Sequence, residues 1–187
     1  YYFYAENADA GFYSPQRAEH EFHVIYAQSN PAGTGDVVIN ELLAENLANL
    51  EDEYNDHEDW IELYNNSNSL INLSTLSLSD DINQLNKWQF PPTTTIAPKS
   101  FFTIWADDDA SQQIYHTNFK LNKDIGSLYL SYTTGQILDS VSFSAQTPDV
   151  SFGRYPNGTG SFIPMNTTYH AVNNNYPLQT ISTIPNS

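Results

Sequence analysis

The 187-residue sequence predicts an all-β sandwich carrying an extra N-terminal β-hairpin. Three observations carry that prediction. Residues 59–66, Asp-Trp-Ile-Glu-Leu-Tyr-Asn-Asn, alternate with period two and end in an Asn pair, the pattern of a strand running into a turn. Beyond them, short apolar runs and turn residues succeed one another every few positions. No stretch sustains the apolar stripe of a long helix. Composition agrees: 40% hydrophobic residues can fill a core, and 13 Tyr with abundant Asn, Ser and Thr suit strands with polar faces and many turns.

The elements follow in order. Residues 1–5 form a continuous aromatic run. Residues 21–26 alternate, with Phe22, Val24 and Tyr26 on one side. A turn-rich stretch containing Gly11, Ser14 and Pro15 separates the two, so residues 1–28 are expected to form a hairpin with a long connection. Two strands alone are marginal in water. The hairpin is therefore expected to be left from a preceding sandwich, or to pack on the next domain. Residues 29–35, Ser-Asn-Pro-Ala-Gly-Thr-Gly, read as a linker. The main domain is expected over 36–160, with 161–187 an extended C-terminal segment or linker.

Within that domain a strand is expected over 37–44. Its two faces blur, because Leu42, Leu43, Leu47 and Leu50 also fit a helical stripe. An acidic loop, 51–59, leads into the strand at 59–66. Further strands are expected at 71–73, 76–78, 87–90, 100–105 and 116–121. Residues 127–131 and 137–143 flank Thr134-Gly135 as a hairpin, and 150–155 runs into Pro156-Asn157-Gly158.

Charge narrows the partners. The formal net charge is −16, and residues 36–65 hold ten acids with no Lys or Arg. Nucleic-acid affinity comes largely from Lys and Arg displacing counterions, so nucleic acid and anionic membranes are poor partners. Divalent cations and cationic partners fit better. No apolar run nears the ~18 residues of a membrane span. The absence of Cys excludes disulfides and thiolate metal sites. No signal peptide opens the sequence, and its start at Tyr1-Tyr2-Phe3-Tyr4 without an initiator Met reads as a piece of a longer protein.

An ordered set of motifs adds to this reading. Val38-Ile39-Asn40-Glu41-Leu42, Asp59-Trp60-Ile61-Glu62-Leu63-Tyr64-Asn65, Leu78-Ser79-Asp80, Trp88-Gln89-Phe90-Pro91, Phe102-Thr103-Ile104-Trp105-Ala106 and Ser151-Phe152-Gly153-Arg154-Tyr155-Pro156 stand in the order seen in lamin-tail domains. Over residues 36–160 the chain resembles their bacterial branch, found in large secreted or surface proteins. The resemblance implies an immunoglobulin-like β-sandwich, an extracellular or cell-surface location and a non-catalytic accessory role beside other domains. The loop at 51–59 departs from the family pattern.

Several residues are expected to determine the fold: Glu41, Trp60, Glu62, Trp88, Trp105 and Arg154. Trp60 and Leu63 lie on opposite faces of one strand, so that strand is covered on both sides or Trp60 caps an end of the sandwich. Glu41 and Glu62 sit within apolar strands, and a buried carboxylate needs a partner. Arg154 is the only Arg of the main domain, so a Glu41–Arg154 or Glu62–Arg154 pair is expected.

For ligands, Asp52, Asp56, Glu58 and Asp59 form the candidate metal site, with calcium as the cation, since calcium takes six to eight oxygens from a flexible loop. The plainer reading is a hydrated acidic face. Asp107-Asp108-Asp109, with Asp80-Asp81, is a second acidic set. His20 and His23 would lie on opposite faces of a strand, and His57, His116 and His170 show no ligand spacing. No nucleophile elbow, zincin motif or phosphate-cradling loop is present, so no catalytic residue is assigned. Tyr1, Tyr2, Tyr4, Tyr54, Tyr115, Tyr129, Tyr132 and Tyr169 exceed the needs of a core, which gives carbohydrate binding as the alternative function. A row of coplanar exposed rings would mark it. A cryptic hydrolase comes third.

Overall fold

The computed structural model describes residues 3–6, 11–14, 29–109, 111, 112, 115–176 and 178. Among them every regular element is a strand, and no helix is long and apolar enough to cross a membrane. The N-terminal hairpin pairs β1 (Phe3–Glu6) with β2 (Gly11–Ser14) in antiparallel register, Tyr4 opposite Tyr13. This corrects the expected connection. Gly11 and Ser14 belong to the ladder rather than to a long connection, while residues 21–26 lie outside the described residues.

The linker expected at 29–35 is part of the sandwich. β3 (Asn30–Pro31) pairs parallel with Ile71–Asn72, and Ala32 is buried in the core. Two-residue strands carry too little period to be read from sequence. Next come β4 (Val37–Leu43) and β5 (Trp60–Asn65), then β6 (Ile71–Asn72), β7 (Leu76–Ser79), β8 (Trp88–Gln89) and β9 (Thr95–Ile96). β10 (Phe101–Trp105), β11 (Ile125–Tyr132), β12 (Ile137–Ser144), β13 (Val150–Tyr155) and β14 (Ser161–Asn166) complete the order. No strand forms over 116–121: His116 and Lys120 make isolated bridges to Trp105 and Asp107.

Two sheets form the sandwich. One has the order β10-β5-β4-β13-β14, the other β12-β11-β7-β8, and a small sheet β3-β6-β9 lies beside them. Ile39, Leu42, Ile61, Leu63 and Ile104 of the first sheet meet Leu76, Leu78, Leu128, Leu130, Val141 and Phe143 of the second in one core. Trp88 joins that core edge-to-face with Phe90, ring centres 4.8 Å apart.

The blurred faces of β4 have a physical cause. Its register with β5 shifts between Ile39 and Glu41, a bulge at Asn40. One extra residue reverses the alternation, so Val37 and Ile39 before it and Leu42 and Ala44 after it all enter the same core. Leu43 then points outward, where it packs with Trp60, Trp105 and the half-buried Leu50. Trp60 and Ile61 are both fully buried, so β5 is covered on both faces. No helix forms at 44–50, and Leu47 is exposed.

The domain also continues past residue 160. β14 pairs along the whole of β13. The chain then crosses the outer face of the five-stranded sheet, and Thr168, His170 and Asn173 bond to groups of β4, β5 and β13. Gly153 makes room for it: a Cβ there would stand 2.8 Å from Asn173 Nδ2 and 3.0 Å from Met165 Sδ.

The expected Glu–Arg154 pair is not formed. Arg154 Nη2 donates to both oxygens of Asp139 on β12, at 2.9 and 3.1 Å. Its Nε donates to the Ile39 carbonyl, and Asp139 Oδ2 accepts the Ile39 N–H at 2.8 Å. β13 pairs with β4 only at Glu41 and Leu42, so this side-chain pair serves the Ile39 backbone where the ladder stops.

Candidate functional site

The loop at 51–59 folds around one of its own acids. Asp52 Oδ1 accepts the N–H groups of Tyr54 and Asp56, at 2.7 and 2.9 Å, as an Asx turn does. Asn55 completes the turn with a φ of 67°. Asp52 is 8% exposed, and its other oxygen, Oδ2, is buried with no hydrogen-bond partner among the described residues.

A second segment supplies the facing groups. Beyond β10, the Trp105 N–H donates to the Tyr115 carbonyl, and the Trp105 carbonyl accepts from Thr117, both at 2.9 Å. These bonds fix His116 alongside the strand end. His116 Nδ1 bonds Asp107 Oδ2, and Nε2 lies 3.2 Å from Glu53 Oε1. The imidazole stacks on Trp105 and meets the Tyr54 ring edge-on at 6.0 Å. Burial lowers the His116 pKa, but the hydrogen bonds and charges of Asp107 and Glu53 outweigh it and leave the ring above its ordinary value.

Asp52, Asp107 and His116, all buried, thereby place one potential ligand atom each within 4.8 Å of the others. The sequence named Asp52 and Asp107 in separate acidic sets and set His116 aside. Nothing in the spacing joins residues nine and more than fifty positions apart. The rest of the expected set does not converge here. Asp56 is exposed, and Glu58 faces Lys120 at 3.4 Å. Asp59 is half-buried and pushed up to about 7, chiefly by burial. Asp80 pairs with Lys87 at 2.7 Å, and Asp81 accepts from Asn83. Tyr1, Tyr2, His20 and His23 lie outside the described residues.

Beside the cluster opens a cavity of about 290 Å³ lined by Glu53, Phe101, Phe102, Thr103, Trp105, Tyr115, Tyr169 and His170. Glu53, its side chain 40% exposed, lines the cavity and faces His116 of the cluster. Tyr115 and Tyr169 therefore have a shared location, while the Tyr132 hydroxyl donates to the Ala32 carbonyl instead. The lining rings form no coplanar row: Phe102 and Tyr115 meet at 88°, while Tyr169 and His170 stack face to face at 7°.

The other notable carboxylates face away from solvent. Glu41 and Glu62 are 0% exposed. Glu41 accepts from Ser151 Oγ and from the N–H and hydroxyl of Thr168, and Glu62 accepts the His170 N–H at 2.6 Å. Burial raises both, and Glu62 reaches about 8 with the Glu41 charge contributing.

An all-β immunoglobulin-like sandwich with Glu41 and Glu62 sealed within its five-stranded sheet defines the class. The family model described as Lamin Tail Domain matches residues 30–145, and the chain belongs to that family. No curated protein matches the chain. The match begins at Asn30, where β3 joins the sandwich.

Proposed function

We propose that this domain is a non-catalytic accessory module, one that mediates adhesion or positions neighbouring domains in a large extracellular bacterial protein. The observation behind this reading is the fate of Glu41 and Glu62. A general acid or base must reach its substrate. These two carboxyls, the most buried and among the most perturbed, are consumed by Ser151, Thr168 and His170. The test is a panel of chromogenic glycoside, ester and phosphate substrates offered to the wild type and to Glu62→Gln. No turnover is expected from either. Turnover in the wild type that Glu62→Gln abolishes overturns the proposal.

Carbohydrate binding is the second reading, favoured by the cavity that gathers Tyr115, Tyr169 and Trp105 beside Glu53. Saturable quenching of Trp fluorescence by oligosaccharides, lost in Tyr115→Ala, would support it. Absence of quenching across a set of neutral and acidic oligosaccharides would end it.

A further inference from the structure

We propose that Asp52, Asp107 and His116 form a binding site for a divalent transition-metal ion of the zinc or manganese type. Three features carry this. Their potential ligand atoms lie within 4.8 Å of one another. A tetrahedral ion with ligands at ~2.1 Å separates its donors by about 3.4 Å, so only small side-chain movements close the set. Second, Asp52 Oδ2 is buried without a partner among the described residues, in a carboxylate whose other oxygen is pinned by Tyr54 and Asp56. A desolvated, unpartnered carboxylate oxygen is costly, and a cation at this point removes that cost. Third, both nitrogens of His116 face carboxylates, Asp107 and Glu53. With Nδ1 turned to the ion beside Asp107, Nε2 keeps Glu53, which is outside the ligand set, as the acceptor for its N–H, the arrangement that orients metal-bound imidazoles.

The donor set also selects the ion. Calcium and magnesium prefer oxygen ligands throughout. An imidazole with two carboxylates suits zinc, manganese and neighbouring ions. Trp105 and Tyr54 hold the ring in place, and the partly exposed Glu53 at the cavity mouth gives the ion a route in. Bound there, an ion would tie the acidic loop to the end of β10.

The experiment uses the full 187-residue chain, stripped with EDTA, dialysed and titrated with zinc, manganese and calcium chlorides by calorimetry and thermal melting. The expected result is one saturable zinc or manganese site. At a free ion concentration ~100-fold above Kd, the midpoint should rise by about 5–10 °C. Asp52→Asn and His116→Gln should each weaken binding by at least about a hundredfold, more than loss of a supporting group costs. His57→Gln, on the exposed part of the loop, should leave it unchanged. Circular dichroism of the metal-free variants separates lost ligation from lost folding. Cobalt absorption in the wild type, with d–d bands of nitrogen–oxygen ligation, does not depend on any variant. The proposal is overturned by an absence of saturable binding in the wild type. It is equally overturned by calcium binding as tightly as zinc and manganese, or by full affinity in folded Asp52→Asn and His116→Gln proteins.

Discussion

Glu41 and Glu62 stand directly opposite one another on β4 and β5, two carboxyls in cross-strand register, both without solvent and neither paired with Arg154. Like charges so placed repel. Their hydrogen bonds come from Asn40 on β4, from β13 and from the strap at 167–173 that crosses the sheet. Glu62, pushed up to about 8, keeps its proton at neutral pH, which leaves at most one charge in the pair.

Stability should therefore fall as pH rises across this window. An unfolded Glu releases its proton near 4.5, whereas folded Glu62 holds it to about 8. Between those values the folded state binds more protons, so each pH increment favours unfolding, and the loss levels off above about 8. Glu62→Gln mimics the protonated form. It should match the wild type near pH 5 and exceed it above pH 8 by on the order of a few kcal/mol. Urea midpoints at the two pH values measure this, and a variant advantage confined to acid would refute it.

The Arg154–Asp139 pair should behave as a clamp between sheets. Arg154 bonds both Asp139 oxygens, the Ile39 carbonyl and the Gly160 carbonyl at 3.0 Å, and its guanidinium lies over the Phe162 ring. Arg154→Met leaves Asp139 largely buried without its cation and should cost about 3–5 kcal/mol. Arg154→Lys should recover little, since an ammonium cannot reproduce the planar fork. Chemical denaturation of both variants decides it, and a Lys variant as stable as wild type would show that charge alone suffices.

How much of this was legible follows from the range of each signal. Trp60-Ile61-Glu62-Leu63 and the Thr134-Gly135 hairpin declare themselves through alternation and turn chemistry within a few residues. The bulge at Asn40 hid the faces of β4, because a single inserted residue inverts the parity on which the reading depends. Arg154 was identified as a partnered cation, but only Glu41 and Glu62 were considered for it, and the packing of the two sheets selects Asp139 instead. The strap bonds to Glu41 across 127 positions, a distance at which composition carries no information. His116 gained its acidic neighbours the same way, through backbone bonds at the end of β10 rather than through any spacing.

Removing the anchor of the strap should couple to the glycine beneath it. Asn173 Nδ2 donates to the Asn40 and Arg154 carbonyls, and its Oδ1 accepts from Thr168. Asn173→Ala should cost about 1–3 kcal/mol. Gly153→Ala places a Cβ against that same amide and against the Asn40 carbonyl at 3.2 Å, so it too should destabilise. Once Asn173 is gone, part of the clash is gone with it. The double variant should then be more stable than the summed single costs imply, by about 0.5 kcal/mol or more. Strict additivity in a double-mutant cycle would show that the strap does not rest on Gly153.

Asn65 offers the sharpest contrast between two substitutions that each remove a donor. At the end of β5 its amide NH₂ donates to the carbonyls of Ser69, Ile96 and Ala97, at 2.8, 3.0 and 2.9 Å, while Oδ1 accepts the N–H and hydroxyl of Ser67. Two N–H bonds thus serve three carbonyls from two separate segments, at a residue with 0% exposure. Asn65→Ala leaves those groups without a partner and should cost about 1–3 kcal/mol. Asn65→Asp keeps the acceptor for Ser67 but turns a carboxylate oxygen toward the three carbonyls, with no N–H to offer them. At neutral pH it should therefore be less stable than Asn65→Ala, despite being nearly isosteric with the native residue. As pH falls and protonation restores one donor, the deficit should shrink. Melting of both variants as the pH is lowered tests the assignment. An Asp variant more stable than the Ala variant at pH 7 would mean that shape, rather than donation to these carbonyls, is what the position requires.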